Sequence, residues 1–487
     1  MSESELTELS APVIDLGPPT APPIGGRETF WHAVAEALRG SRRDYTKGAI
    51  GRSILVLAIP MVLEMAMESI FVICDVFFVS KLGADAVATV GLTESMLSLV
   101  YTMAMGLSIG VTATVARRIG EKDADGAART AVQGIALGII IAAALGVAGA
   151  TTAPSLLRAM GASPDVVARG STFTRVMLGG NASILLLFLI NGIFRGAGDA
   201  TLAMRSLWLA NAINILLGPC LIFGLGPFPR LGVTGAAIAT TTGRSIGVLF
   251  AAAQLLRAHS RVVVHREHLR LDWSLMGRLV KLSGTGTVQI LIGTASWIGM
   301  VRLISAYGST AVAGYTIAIR IVMFALLPSF GLCMAAATMV GQSLGSKQPD
   351  RAEQSVWLAG KYNFFFLGSV SVLFVFGARL IVSAFTSDPE VAGYAVFGLR
   401  VISSAFVFYA YGMVMGSAFN GAGDTWTPTL LNLLSFWLWE IPLAFVLSRG
   451  VGMGPDGIFT AIPIAFSTFA LLATFAFRRG RWKVKAI

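Results

Sequence analysis

Residues 194–199 read FRGAGD and residues 419–424 read FNGAGD, the same phrase with one substitution, displaced by 225 residues from Asp199 to Asp424. Carried along the chain, the same displacement superposes much more. It takes Gly83-Ala84-Asp85-Ala86-Val87-Ala88 onto Gly308-Ser309-Thr310-Ala311-Val312-Ala313, and Gly120, Lys122 and Asp125 onto Gly345, Lys347 and Asp350. It also takes Arg175 onto Arg400 and Gly232 onto Gly457. No gap is needed over roughly 150 residues, so the chain reads as two copies of one unit.

The unit belongs to a membrane. Of 487 residues, 55% are hydrophobic and 13% charged, with a mean hydropathy of +0.74; a soluble surface needs about twice that share of charge. Twelve apolar runs are long enough for a bilayer, centred near residues 66, 101, 140, 183, 213, 245, 290, 325, 367, 407, 438 and 466. In lipid only helices satisfy their own backbone groups over such lengths. The expected fold is all-α, twelve transmembrane helices in two six-helix lobes. Six is even, so both lobes enter the membrane in the same direction and are related by a pseudo-two-fold axis along the membrane normal.

Charge sets the orientation. Arg117, Arg118, Lys122 and Arg129 flank the second connection, Arg257, Arg261, Arg266 and Arg270 the sixth, and Lys347 and Arg351 the eighth. All fall on the side of the basic C-terminus, RRGRWKVK, and the positive-inside rule makes that side cytoplasmic, with both termini there, in the cell inner (plasma) membrane. The net charge of +11 is then topology, and no nucleic-acid partner is needed to explain it. The expected parts are a cytoplasmic tail over 1–50, lobes over 51–258 and 276–478, a linker over 259–275, and a basic tail over 479–487. Within the first part, about 25 residues read as disordered and ETFWHAVAEALRGSRR as an amphipathic surface helix, with a plain solvated tail as the alternative.

Duplicated lobes of this kind suit a transporter with its substrate near the midplane, moving by rocking one lobe against the other. Cys74, Cys220 and Cys333 lie in apolar runs, and His32, His259, His265 and His268 lie outside them. No metal site, cofactor or disulfide framework is expected. A membrane-embedded enzyme is disfavoured too, since no nucleophile and base or metal-ligand cluster gathers at one membrane face.

An ionisable residue in a span is expensive and usually faces a cavity or a partner. The first span, SILVLAIPMVLEMAMESIFVICDVFFVSKLG, carries Glu64, Glu68 and Asp75. Spacings of four and seven residues keep them within about 40° of helix surface. Pro60, a turn before Glu64, is a place for that helix to bend. Asp75, with one or both glutamates, is the candidate carrier of protons or a cation; the alternatives are a buried acid tied to a structural base and, for Glu64, solvation near the cytoplasmic interface.

Asp75 with the following KLGADAVATVGL, the RRIGEKD loop, FRGAGDA and their second-half repeats resemble the multidrug and toxic compound extrusion (MATE) family from about residue 50 to 478. The resemblance implies export of organic cations in exchange for protons or sodium, from a small-molecule site in a monomer. It places the family's helix 1 aspartate on Asp75, its helix 5 Asn and following polar ligand on Asn214 and Gly218, and its helix 6 threonine on Thr240. Gly218 departs from the pattern, and a sodium site loses an oxygen there. Arg244, four residues after Thr240, shares its helix face and brings a fixed positive charge toward Asp75; protons are the expected coupling ion over sodium. Asn214 and Thr240 have interhelical hydrogen bonding as their other reading. The acids that NorM-like members carry in helices 7 and 10 align with Gly293 and Tyr409, and the repeat takes Asp75 onto Met300, so the acidic site is expected in the first half alone, as in DinF-like members.

The second half is rich in Met and aromatic residues, which suit flat lipophilic cations. Trp297, Met300, Tyr409 and the span acid Glu440 are candidates for the substrate cavity, although most such side chains face lipid or neighbouring helices; Glu440 either attracts a cation or is paired with a base. The competing function is transport of an anionic or lipid-linked compound, suggested by Arg244, Arg302, Arg320 and Arg400 in or near spans. In the opening phrase, Gly196, Gly198, Gly421 and Gly423 read as turn residues, and Asp199 and Asp424 as caps of the following helices.

Overall fold

The computed structural model describes residues 28–41, 43–257 and 260–485. Helices cross the apolar layer at Ile50–Ser80, Ala84–Gly120, Ala124–Ala159, Pro164–Ala197, Ala200–Phe223 and Val233–Leu256 in the first half. In the second half they run over Trp273–Ser305, Ser309–Gly345, Pro349–Ser383, Pro389–Gly421, Trp426–Gly450 and Pro455–Arg478. These are spans 1 to 12, one on each expected centre. Among the described residues there is no strand. The expected disordered lead lies outside the described residues; the amphipathic segment is a helix, Glu28–Arg39, packed on spans 1 and 5.

The repeat governs the backbone as well as the letters. Lys122 and Lys347, both non-glycine residues, take φ of 62° and 60° at matching turns. Span 4 is interrupted at Gly180 and span 10 at Ala405, where it bends by 59°; the two positions match in the repeat. One equivalence fails. Gly232 with φ 57° opens span 6 and Gly454 with φ 60° opens span 12, so Gly232 corresponds to Gly454 rather than Gly457. The second copy is three residues shorter here, and the gapless register stops before the last span.

Span 1 packs on span 5 of its own half and span 8 of the other, while span 7 packs on span 11 and span 2. A two-fold axis exchanges these two sets, so the halves are related as expected. Each leading helix also enters the opposite core. Ile54, Leu57 and Met61 of span 1 join Val340 and Phe419, whereas Leu275, Met276 and Leu279 of span 7 join Val111 and Phe194.

These crossings lie toward the face that carries both described chain ends, called here the terminal face. Glycines bring the backbones together there: a Cβ on Gly106 would strike Thr287, and one on Gly345 would strike the Arg117 carbonyl. Such close approach is how helices associate in lipid, where no hydrophobic force separates them from their solvent. Thr338 Oγ1 donates to the Arg195 carbonyl at 3.0 Å and Gln342 Nε2 to that of Gly196 at 2.9 Å, both across the halves. The carbonyls of Ser41 and Arg43 accept from Arg261, and those of Tyr45 and Lys47 accept from Arg351, at the same face. Toward the other face, Glu94, Leu99 and Met103 of span 2 and Arg320, Met323 and Phe324 of span 8 are exposed.

The GAGD phrases divide their labour differently from expectation. Gly198 and Gly423 do reverse the chain, at φ 86° and 81°. Gly196 and Gly421 remain helical and leave room for the carbonyls of Thr112 and Ala337. Neither aspartate caps the next helix with its side chain. Asp199 Oδ2 instead accepts from Ser260 Oγ at 2.8 Å and Arg261 N at 2.7 Å, fastening the segment between the halves. Asp424 accepts from Thr427 Oγ1 and faces Lys485 at 3.4 Å.

Candidate functional site

The acids of span 1 point into the first half, as their spacing requires, and each meets a different environment. Glu64 is 2% exposed, so the interfacial solvation considered for it does not occur. Its Oε1 accepts from Arg195 Nη1 of span 4 at 2.7 Å, with Asn191 Nδ2 at 3.5 Å. Arg195 also borders a cavity of about 100 Å³ between the halves, with Asn420 and Met334 on its far wall.

One turn on, Glu68 Oε2 accepts from Asn211 Nδ2 of span 5 at 3.0 Å, and Oε1 lies 3.6 Å from Arg244 Nη2 of span 6. Arg244 is 4% exposed and donates to the Tyr101 hydroxyl at 2.6 Å. Its guanidinium lies over the rings of Tyr101 and Phe71, 5.5 and 5.6 Å from their centres. An arginine held between a carboxylate, a phenol and two ring faces is a fixed charge, because a guanidinium does not lose its proton.

Asp75 differs from both glutamates. It is half-buried and, among the described residues, has neither an ion pair nor a hydrogen bond to its carboxylate. Arg244 acts on it through space, and so does Glu94 of span 2. Glu94 is in turn within the field of Arg320 on span 8, a residue of the other half. Glu94 went unrecognised in the sequence, although VATVGLTESMLSLV places an acid in an apolar run as plainly as span 1 does. The acids therefore occupy two helices of the first half.

Asn214 and Thr240 are bonded to each other, Nδ2 to Oγ1 at 2.7 Å, which joins spans 5 and 6. Position 218 is open: a Cβ on Gly218 would meet only the Asn214 amide oxygen, at 3.9 Å.

In the second half the expected cavity set separates. Met300 is 1% exposed and packed in the core, so it lines no cavity; its side chain falls on the inner face of span 7, which composition alone does not reveal. Trp297 is exposed. Tyr409 stacks on Phe466, centres 4.1 Å apart and planes at 14°, and is half-buried. Glu440 is buried against Ser296 and no base pairs with it among the described residues, which corrects the base-paired alternative.

Known proteins carry the same arrangement. The MatE family matches residues 60–220 and 287–446, one match in each half. The probable multidrug resistance protein YoeA of Bacillus subtilis is 24% identical over 447 residues, spanning 91% of this chain and 96% of its own. An FAD transporter of Shewanella oneidensis is 26% identical over 426 residues, spanning 87% and 93%. Among solved structures, an outward-facing multidrug resistance MATE transporter superposes with a TM-score of 0.83 at 26% identity, covering 90% of this chain and 96% of that one. With both halves matched and twelve helices in the same two-lobe arrangement, the chain belongs to the MatE family of membrane transporters.

Proposed function

We propose that the protein exports lipophilic, often cationic small molecules across the inner membrane in exchange for protons. Asp75 is the residue at which the two compete. A carboxylate with no fixed partner, half out of water, beside a permanent cation and a second acid, changes protonation with small changes in its surroundings. Arg244 keeps a bound sodium ion unfavourable near it, and the open position 218 supplies no further oxygen, so the cluster favours protons.

The terminal face is closed in this conformation. With that face cytoplasmic, as the basic connections imply, Asp75, Glu94 and Arg320 meet the outer solution, where a transporter of this type takes up its proton and releases its cargo. The cavity beside Arg195 and the parting of spans 1 and 7 from the opposite cores belong to the inward step. The chain carries out this cycle as a monomer.

One observation favours a second reading. Arg320 is exposed opposite Glu94, and one relative transports FAD, an anion with flat rings. Efflux from cells of a cationic dye and of a flavin nucleotide, measured side by side, separates the two. Dye export that disappears in Asp75→Asn supports the first reading; flavin export with no dye export replaces it.

A further inference from the structure

We infer that the second half carries its own proton-binding carboxyl, Glu440, set between spans 7 and 11 as Glu68 is set between spans 1 and 5. The inference rests on the proton exchange proposed above and extends it to the half in which the helix 1 acids have no counterpart.

Glu440 is 6% exposed. Its hydrogen-bond partner is the Ser296 hydroxyl, 3.5 Å from Oε2, and that hydroxyl lies closer to the Phe436 carbonyl, at 2.9 Å. The ionisable groups whose fields meet it are Tyr315 on span 8 and Tyr409 on span 10, both phenols. Span 12 is without an ionisable residue between Asp456 and Arg478. Arg302 on span 7 and Arg449 on its own span lie farther along toward the far face, and neither pairs with it. A carboxylate in such a place has lost water and gained no counter-charge, an arrangement far more costly than the neutral acid. Compare Glu64, equally buried, which is met by a guanidinium.

The backbone around Glu440 is also unusual. Span 11 is wound as a π-helix over Leu433–Glu440 and again over Val446–Gly450, with Pro442 between them. Such winding is rarely extended and concentrates at functional sites, and its return to α-helix rotates the residues beyond it. Span 7, which supplies Ser296, is the helix that must leave the first half's core when the terminal face opens. The two helices holding Glu440 are thus the ones expected to move. The acid keeps its O–H while the terminal face is shut. When spans 7 and 11 part, water enters, the O–H breaks, and the proton leaves to the terminal side as a carboxylate forms.

The test uses the full-length protein in lipid nanodiscs and proteoliposomes, with tetraphenylphosphonium as cargo. Infrared difference spectra recorded across a pH titration read the carboxylic-acid carbonyl directly, and proton flux per cargo ion is counted in vesicles. Glu440→Gln keeps the shape and the Ser296 contact, while Glu440→Asp keeps the acid. The expected result is one side chain's carboxylic-acid band lost in Glu440→Gln and shifted in Glu440→Asp, with a lower proton-to-cargo ratio in Glu440→Gln. An unchanged band and ratio in a proton-driven wild type overturn the inference alone. Wild-type transport driven by sodium, with the Glu440 band present, overturns the proton exchange and leaves the protonated acid standing.

Discussion

The Glu64–Arg195 pair makes a prediction with an internal asymmetry. The two groups are 2.7 Å apart and their side chains are 2% and 8% exposed, so solvent screens them little. Removing one partner of a buried pair leaves an uncompensated charge and costs about 3–5 kcal/mol, whereas replacing both by neutral groups of similar volume costs far less. The survivors differ. In Arg195→Met the stranded carboxyl can take up a proton and limit its loss, but in Glu64→Gln the stranded guanidinium cannot give one up. Glu64→Gln should therefore lose about 3–5 kcal/mol, Arg195→Met less, and the double variant less than the sum of the two. Equilibrium unfolding of the purified protein in mixed micelles, run as a double-mutant cycle, gives all three numbers. Single losses within about 1 kcal/mol, the size of an exposed pair, with an additive double variant would refute a desolvated pair.

Two further outcomes follow from other contacts. A Cβ on Gly331 would meet the Val62 backbone at 2.7 Å, so Gly331→Leu should separate spans 1 and 8 and depopulate the conformation closed at the terminal face; spin-label distances across that face would lengthen, and an unchanged distribution counts against the contact. On the surface, burial raises the Glu36 carboxyl, but hydrogen bonds from Ser41 and Arg52 and the nearby arginine charges outweigh it and hold the group below the usual 4.5. A depressed carboxyl stabilises above its unfolded value and loses that stabilisation as pH falls through the folded one. Acidification below 4.5 should thus release the Glu28–Arg39 helix from span 1, seen as faster hydrogen exchange over those residues, and Glu36→Gln should show that exchange already at neutral pH.

The fold was legible because membrane spans announce themselves one at a time. Each run of apolar residues is a local property, and the repeated phrase supplied the relation between halves. The site was legible only in part, because its geometry depends on pairs distant in sequence. Glu64 looked close enough to the interface to be solvated, since its partner Arg195 reads as an ordinary basic residue at a helix end. Asp199 looked like a cap, since its acceptors' partners lie some sixty residues on, in a segment without pattern. Met300 shares its type with residues that line cavities, and periodicity in a uniformly apolar helix does not say which face is inward. Glu94 was missed by attending to one helix, and the winding around Glu440 leaves no mark in the letters. The three-residue shortening before span 12 shows the same limit: a register read from glycines survives only as far as the loops keep their length.

The central claim is that Asp75 couples cargo to protons. Wild type and Asp75→Asn, reconstituted in vesicles, should be compared for movement of a cationic dye under an imposed proton gradient and, separately, an imposed sodium gradient. Dye movement driven by the proton gradient, absent under sodium alone and reduced to the protein-free background in Asp75→Asn, is the predicted result. Transport driven by sodium alone, or undiminished proton-driven transport in Asp75→Asn, would contradict it.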